Sequence, residues 1–326
     1  MIDFITMAAA TSSGGIFKPL YWLFGKCMEG LLYVFNDKYF LALVVFTVLT
    51  RLILFPLNLK QQKTMAKSAR LQPKIAKIQK KYSNNTPADR QKQQEEMQAL
   101  YNREGHNPMN MGCGPMIFQM VFLMGIIGII YYPIQYILGI DITAQANEIV
   151  DALGIKSNYF QLELLQNFDQ YRDVLVNQFG DLFTEQNIEA IEEYRSHMYL
   201  GGIDMTTIPS IKDWKNPAIL IPIFCLLSSL ATSFLSARIQ KKQNPAAAAQ
   251  NSQMMIMMLM MPFFSFYISF KVSAAVGFYW IISNLVALIQ QLVMAKFFPP
   301  KRNMARTMIE STIERRSREE NIKNVK

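Results

Sequence analysis

The chain has 326 residues, 51% of them hydrophobic and only 17% charged, and its 33 Lys and Arg outnumber 24 Asp and Glu for a net charge of +9. Charged residues make up about a quarter of an ordinary soluble domain, so here the charges are crowded into a few segments and long uncharged runs lie between them. Five such runs in one chain leave too little polar surface for a water-soluble protein, and a positive surplus gathered in connecting segments does not require a nucleic-acid partner.

In chain order, Met1 to Gly15 lacks the basic start and sustained apolar core of a secretory signal and the Arg-rich character of a transit peptide, so a bacterial plasma membrane is the expected address. Within an extracytoplasmic segment over 1–38, Phe17, Leu20, Phe24, Cys27, Met28 and Leu31 recur at helical spacing. This spacing predicts an amphipathic helix that lies on the outer surface, packs on the other helices, or does both. The first run long enough to cross about 30 Å of hydrocarbon is 39–59, which contains one charge, Arg51. Residues 60–110 read as a basic helical hairpin with arms Lys60 to Tyr82 and Ala88 to Arg103 around Ser83-Asn84-Asn85-Thr86-Pro87. Pro73 is expected to kink the first arm, and Gly105-His106-Asn107-Pro108 to stop the second. The hairpin is either a solvated spacer or a working part, though a spacer needs only a few residues.

The second apolar run is 111–138, followed by an acidic connection over 139–216 in which Phe160, Leu164, Phe168, Tyr171 and Leu175 suggest a small helical cap. A third run follows at 217–237, then a link over 238–253 containing Asn244-Pro245, a fourth run at 254–270, a fifth at 272–295 and a basic tail over 296–326. Met254, Met255, Met257, Met258, Met260 and Met261 crowd the fourth run. Such side chains suit either lipid-facing filler or a surface adaptable to many partner helices.

Residues 60–110 hold 11 Lys and Arg against 4 Asp and Glu, the tail from Lys296 holds 9 against 4, and residues 238–253 hold three basic residues and no acid. Residues 139–216 hold 5 basic and 13 acidic. Positive flanks stay on the cytoplasmic side, which predicts an outer amino terminus and a cytoplasmic carboxyl terminus.

A guanidinium within hydrocarbon costs at least ~2.5–3.5 kcal/mol on insertion scales, so Arg51 invites a functional reading. At helical spacing Thr47, Thr50, Arg51, Leu54 and Asn58 form one stripe; Ser228, Ser229, Thr232, Ser233 and Ser236 form another; Trp280, Ser283, Asn284 and Gln291 a third; and Gln119 adds an amide. Facing one another, these stripes enclose a hydrated groove open to cytoplasm and lipid, with Arg51 as its fixed charge. The alternatives are that Arg51, nine residues before Lys60, snorkels roughly 13 Å to the interface, that the hydroxyls serve helix packing, and that Trp280 belongs to an interfacial belt.

Cys27, Cys113 and Cys225 lie in separate segments, and His106 and His197 fall on opposite sides of the predicted membrane, so neither a disulfide framework nor a metal site is expected. A GxxxxGK[ST] loop is absent from the sequence, and the spans offer no nucleophile and base within reach, so neither an ATP motor nor an enzyme is expected.

The string Leu49-Thr50-Arg51-Leu52-Ile53-Leu54-Phe55-Pro56-Leu57-Asn58-Leu59-Lys60-Gln61-Gln62 closely resembles the first core helix of the YidC/Oxa/Alb family of membrane-protein insertases. Asn107-Pro108, Gly112-Cys113-Gly114-Pro115 and Phe118-Gln119-Met120 are similar to its entry into the second, and Phe278-Tyr279-Trp280-Ile281-Ile282-Ser283-Asn284-Leu285 with Gln290-Gln291 to its fifth. The resemblance implies an all-α polytopic bundle of five transmembrane helices around a hydrophilic groove closed on the outer side, with a cytoplasmic helical hairpin. It implies insertion of nascent membrane proteins, alone or beside the Sec translocon, without nucleotide hydrolysis. Arg51 matches the groove arginine and Trp280 a groove-lining aromatic position. The hairpin matches the loop that receives substrates, and the tail resembles extensions that touch ribosomes. Ser236 stands where a glutamine is common in the family, no lipobox cysteine precedes the first helices, and the acidic connection is longer than usual. The rival functions are a small anion transporter or channel and a scaffold for finished membrane proteins.

Overall fold

The computed structural model describes residues 17–82, 86–104, 121–155, 157, 159–243 and 252–297, with isolated positions beyond. Gln119, the Gly105 to Pro108 stop, the Asn107 to Met120 motif, the Asn244-Pro245 link and most of the tail lie outside the described residues, as do the side chains of Met254, Met255, Met257 and Met258.

Helix α1 spans Lys18–Val34 and buries Tyr21, Phe24, Gly25, Met28 and Leu32. It is therefore packed on other helices. Cys27, expected on the apolar face, is exposed, because that face is turned toward Gly25. A Cβ at Gly25 would lie 2.1 Å from the Tyr136 carbonyl oxygen, and Cβ atoms at Gly125 and Gly128 would strike the rings of Phe24 and Tyr21. Absent side chains thus let α1 and the 121–136 segment approach closely. Asn36 and Asp37, both with left-handed backbone, turn the chain into the next helix; short polar side chains tolerate that conformation best.

Helix α2 (Tyr39–Ile53) and helix α3 (Phe55–Lys81) divide at Leu54 what the sequence predicts as one span, with Pro56 in the first turn of α3. Proline lacks an N–H and its ring crowds the carbonyl four residues back. Helix α3 continues through Pro73 to Lys81, and α4 spans Pro87–Arg103 behind a Thr86 hydroxyl that accepts from the Asp89 N–H at 3.2 Å.

Helix α5 (Val121–Tyr131) gives way at Tyr132 to the short α6 (Pro133–Tyr136), again at a proline. The acidic connection folds into α7 (Ala146–Leu153), α8 (Phe160–Gln166), α9 (Phe168–Phe179) and α10 (Glu185–Ser196). The predicted stripe thus falls on two helices: Phe160, Leu164, Phe168 and Leu175 are buried, with Tyr171 partly so. A hairpin of β1 (Tyr199–Leu200) and β2 (Ile203–Asp204) follows, pairing Leu200 with Ile203. Its turn, Gly201-Gly202, has positive φ at both positions, as a tight two-residue hairpin loop requires. After a 3-10 turn at Pro217–Ile219 come α11 (Leu220–Gln243), α12 (Ser252–Ser269) and α13 (Ala274–Phe297).

Two helices, Pro217–Ile239 and Ala274–Phe297, are long and apolar enough to cross a membrane; Tyr39–Ile53, Val121–Tyr131 and Met260–Ser269 are shorter apolar helices. The chain forms two compact units. The first takes in the described parts of 1–51, 119–229 and 262–285, and one apolar core runs through it from Tyr21 and Phe46 to Ile130, Leu165, Phe168, Val272 and Tyr279. The second takes in the described parts of 52–118, 230–261 and 286–326, including the α3–α4 hairpin. Lys74 pairs with Glu104 and Lys81 with Glu96 across that hairpin, the cross-links of two arms running in opposite directions.

Inside the first unit the acidic connection supplies partners for helix ends that have none of their own. The Ile134 N–H, freed at the Pro133 break, donates to the Oε1 of buried Gln161 at 3.1 Å. At the start of α13 the N–H groups of Ala274 and Ala275 donate to the carbonyls of Thr207 (2.8 Å) and Met205 (2.9 Å). The Ser273 N–H donates to the Tyr131 hydroxyl at 3.2 Å, and the Tyr131 ring stacks on Tyr159 with centroids 4.2 Å apart.

Candidate functional site

Arg51 lies in the last turn of α2, where the break at Leu54 leaves the carbonyl end of a helix; that end favours a cation by about 0.3–1 kcal/mol when exposed. Its guanidinium donates to the hydroxyl of Ser283 on α13. Ser283 is 2% exposed and Arg51 partly buried. Tyr279 is buried one turn before Ser283 on the same helix. Among the described residues no carboxylate pairs with Arg51: the ion pairs there are Lys26–Glu29 on α1, two across the hairpin, and Arg172–Glu192 and Arg195–Asp169 in the acidic connection.

Beside Ser283, the Asn284 amide donates to the hydroxyls of Ser228 (3.1 Å) and Ser229 (2.8 Å) on α11. Ser228 in turn donates to the Cys225 carbonyl at 3.1 Å. The first unit thus joins the polar stripe of α13 to that of α2 through Ser283 and to that of α11 through Asn284. Interhelical bonds of this kind average about 0.6 kcal/mol in a membrane protein, so together they set register more than they add stability.

Other predicted site residues are placed differently. Thr47 and Thr50 are buried, and their hydroxyls donate to backbone carbonyls of their own helix, Leu43 at 2.7 Å and Thr47 at 2.9 Å. Trp280 is partly buried and packs against the apolar core. In the second unit Asn58, Thr232 and Ser233 are partly buried, and the Ser236 hydroxyl donates to the Gln291 Oε1 at 3.0 Å. Gln119 lies outside the described residues. Tyr279 was not among the predicted site residues, although its spacing of four from Ser283 places it on the same helix face. Among the described residues no group of His, Cys, Asp or Glu is placed to hold a metal ion.

The fold and this polar cluster define a mostly helical membrane protein in which a guanidinium is bonded to a buried hydroxyl between apolar helices. The chain belongs to the family described as the 60Kd inner membrane protein, whose model matches residues 31–302. It is similar to the Membrane protein insertase YidC of Clostridium perfringens, 44% identical over 119 residues, or 34% of this chain and 48% of that protein. It is similar also to the Membrane protein insertase YidC 2 of Listeria innocua, 38% identical over 107 residues, covering 33% of this chain and 36% of the relative. The Membrane protein insertase YidC of Treponema denticola is 27% identical over 285 residues, covering 87% of this chain and 39% of the relative. The matched stretch is less than half the length of each of these relatives.

Proposed function

We propose that this protein is a membrane-protein insertase and chaperone that inserts nascent inner-membrane proteins and helps them fold, alone or beside the Sec translocon, through a polar groove containing Arg51. The observation that carries the reading is a guanidinium bonded to a hydroxyl, with no carboxylate partner among the described residues. Such a cation is free to pair with an acidic residue of an incoming segment. The relatives' names support the activity.

In this reading the spans are 39–59, 111–138, 217–237, 254–270 and 272–295, with the amino terminus outside and the carboxyl terminus in the cytoplasm. The basic hairpin meets the client, and the client's short polar flank enters the groove to pair transiently with Arg51. Its apolar part then slides into lipid. Transfer of apolar surface, worth about 25 cal/mol per Å², supplies the drive, helped by the membrane potential acting on client charges; nucleotide hydrolysis has no part in it. The basic tail contacts the ribosome.

The test is insertion of a single-span client with an acidic outer flank into liposomes holding wild type, Arg51→Lys or Arg51→Ala. Protease protection is expected with wild type and Arg51→Lys, and protection near the empty-liposome level with Arg51→Ala. Equal insertion by all three would remove Arg51 from the mechanism. Insertion no better than in empty liposomes would overturn the insertase reading in favour of a scaffold or transporter.

A further inference from the structure

The acidic connection has a face at odds with its composition. Between Met205 and the helix that begins at Pro217, Ile211 and Trp214 are each 70% exposed and Ile208 is 39% exposed. This segment is wound into successive turns: the Asp213 N–H donates to the Ser210 carbonyl at 3.2 Å and the Asn216 N–H to the Asp213 carbonyl at 3.1 Å. The Asn216 side chain then accepts from the Ala218 N–H at 2.9 Å. Trp214 stands three residues before Pro217, so even a fully extended chain would hold it within roughly 11 Å of the helix start, and the turns draw it closer.

Strand β2 lies against the Pro217–Ile219 turn, and its partner strand carries Tyr199 and Leu200, both exposed. The apolar surface continues onto α11 itself, where Leu220, Ile223, Phe224 and Leu227 are exposed. Charge points the same way. Of the five basic residues in 139–216, two, Lys212 and Lys215, lie two positions before and one after Trp214, with Asp213 between, and all three are exposed.

We propose that this turn segment, with Tyr199 and Leu200, seats the acidic connection on lipid headgroups: Ile211 and Trp214 enter the interface beside the first turns of α11, while Lys212 and Lys215 reach lipid phosphates. Tryptophan and tyrosine favour this depth because the ring is apolar and its polar edge stays hydrated. Lysine keeps its ammonium in water while its stem lies along apolar surface. The proposal rests on reading Pro217–Ile239 as a membrane span.

The experiment uses the full chain in nanodiscs of phosphatidylcholine brominated at shallow or deep acyl positions. Trp22→Phe with Trp280→Phe leaves Trp214 as the only tryptophan; a reference variant lacks all three and carries Leu227→Trp. Trp214 is expected to emit in the blue and lose most of its intensity to shallow bromines, and the reference to respond most to deep ones. A quenched reference with Trp214 unquenched and red-shifted overturns the lipid seat alone, and points to a protein partner or open water. Quenching of neither overturns the span and the seat together. A nitroxide at Ile211→Cys, in a background with Cys27, Cys113 and Cys225 replaced and all tryptophans native, gives the same decision independently. It should be more accessible to oxygen than to a water-soluble nickel chelate, and the reverse order overturns the proposal.

Discussion

The acidic connection and the basic hairpin are both long, helical and polar, yet they are held by different forces. The first buries Ile149, Leu164, Leu165, Phe168, Ile188, Ile191 and Met205 in the same core as the apolar helices, and it satisfies backbone donors at the breaks of those helices. The hairpin has no buried residue on α4, and the described part of α3 buries Leu71 and Ile75; its arms are joined by exposed ion pairs. Charge sign separates the two segments in the sequence, but apolar burial decides what each is able to do. Among its described residues the hairpin buries little, and such a segment opens at low cost, which suits a part that exchanges partners, whereas the acidic connection is structural.

The largest test of this contrast is truncation in each core. Leu165→Ala is expected to lower stability by about 2–5 kcal/mol, while Leu100→Ala, partly buried on the hairpin, costs about 1 kcal/mol; thermal unfolding in micelles reads both. Equal losses would mean that the hairpin has a core of its own. A smaller effect is expected at Gln161. Gln161→Ala leaves the buried Ile134 N–H without its acceptor, a loss of about 1–3 kcal/mol, and hydrogen exchange at Ile134 should rise with it. Unchanged exchange there would show that the acidic connection caps this break through packing alone.

Much of this was legible before the structure, and the parts that were not have specific causes. Arg51 stood out as one charge in an apolar run, and Ser283 and Asn284 as polar residues at helical spacing. Which hydroxyls they meet was not legible, because period fixes a face and leaves axial register open. That register follows from close packing: a Cβ at Gly277 would lie 2.4 Å from the Ile221 side chain. In α1 the face was misread at Cys27 because Trp22 and Leu23, both exposed, make that helix apolar on nearly every side. Gly25, which adds nothing to an apolar stripe, marks the true face. The Gly201-Gly202 hairpin and the Pro56 break carry local signals, two adjacent glycines and a proline, that hydropathy and charge patterning do not register.

The smallest expected effect sharpens the hairpin side of the contrast. The bond from Lys81, joined by one from the Tyr82 hydroxyl at 2.9 Å, holds the Glu96 carboxyl below its ordinary value of 4.5. The bond to Glu96 likewise holds Lys81 above its ordinary 10.5. A depressed carboxyl contributes fully above its unfolded pKa and loses that contribution as pH falls through the folded value. A raised ammonium contributes fully below 10.5 and loses it as pH rises through its own folded value. The pair should therefore be constant through neutral pH, weaken only in acid or strong base, and fade with salt, since exposed pairs are screened. Carboxyl NMR of Glu96 in the full protein checks this directly: Lys81→Met should move the Glu96 titration up toward 4.5 without a measurable change in unfolding. An unmoved titration would mean that Lys81 and Glu96 do not pair in solution, leaving Lys74–Glu104 as the described ion pair between the arms.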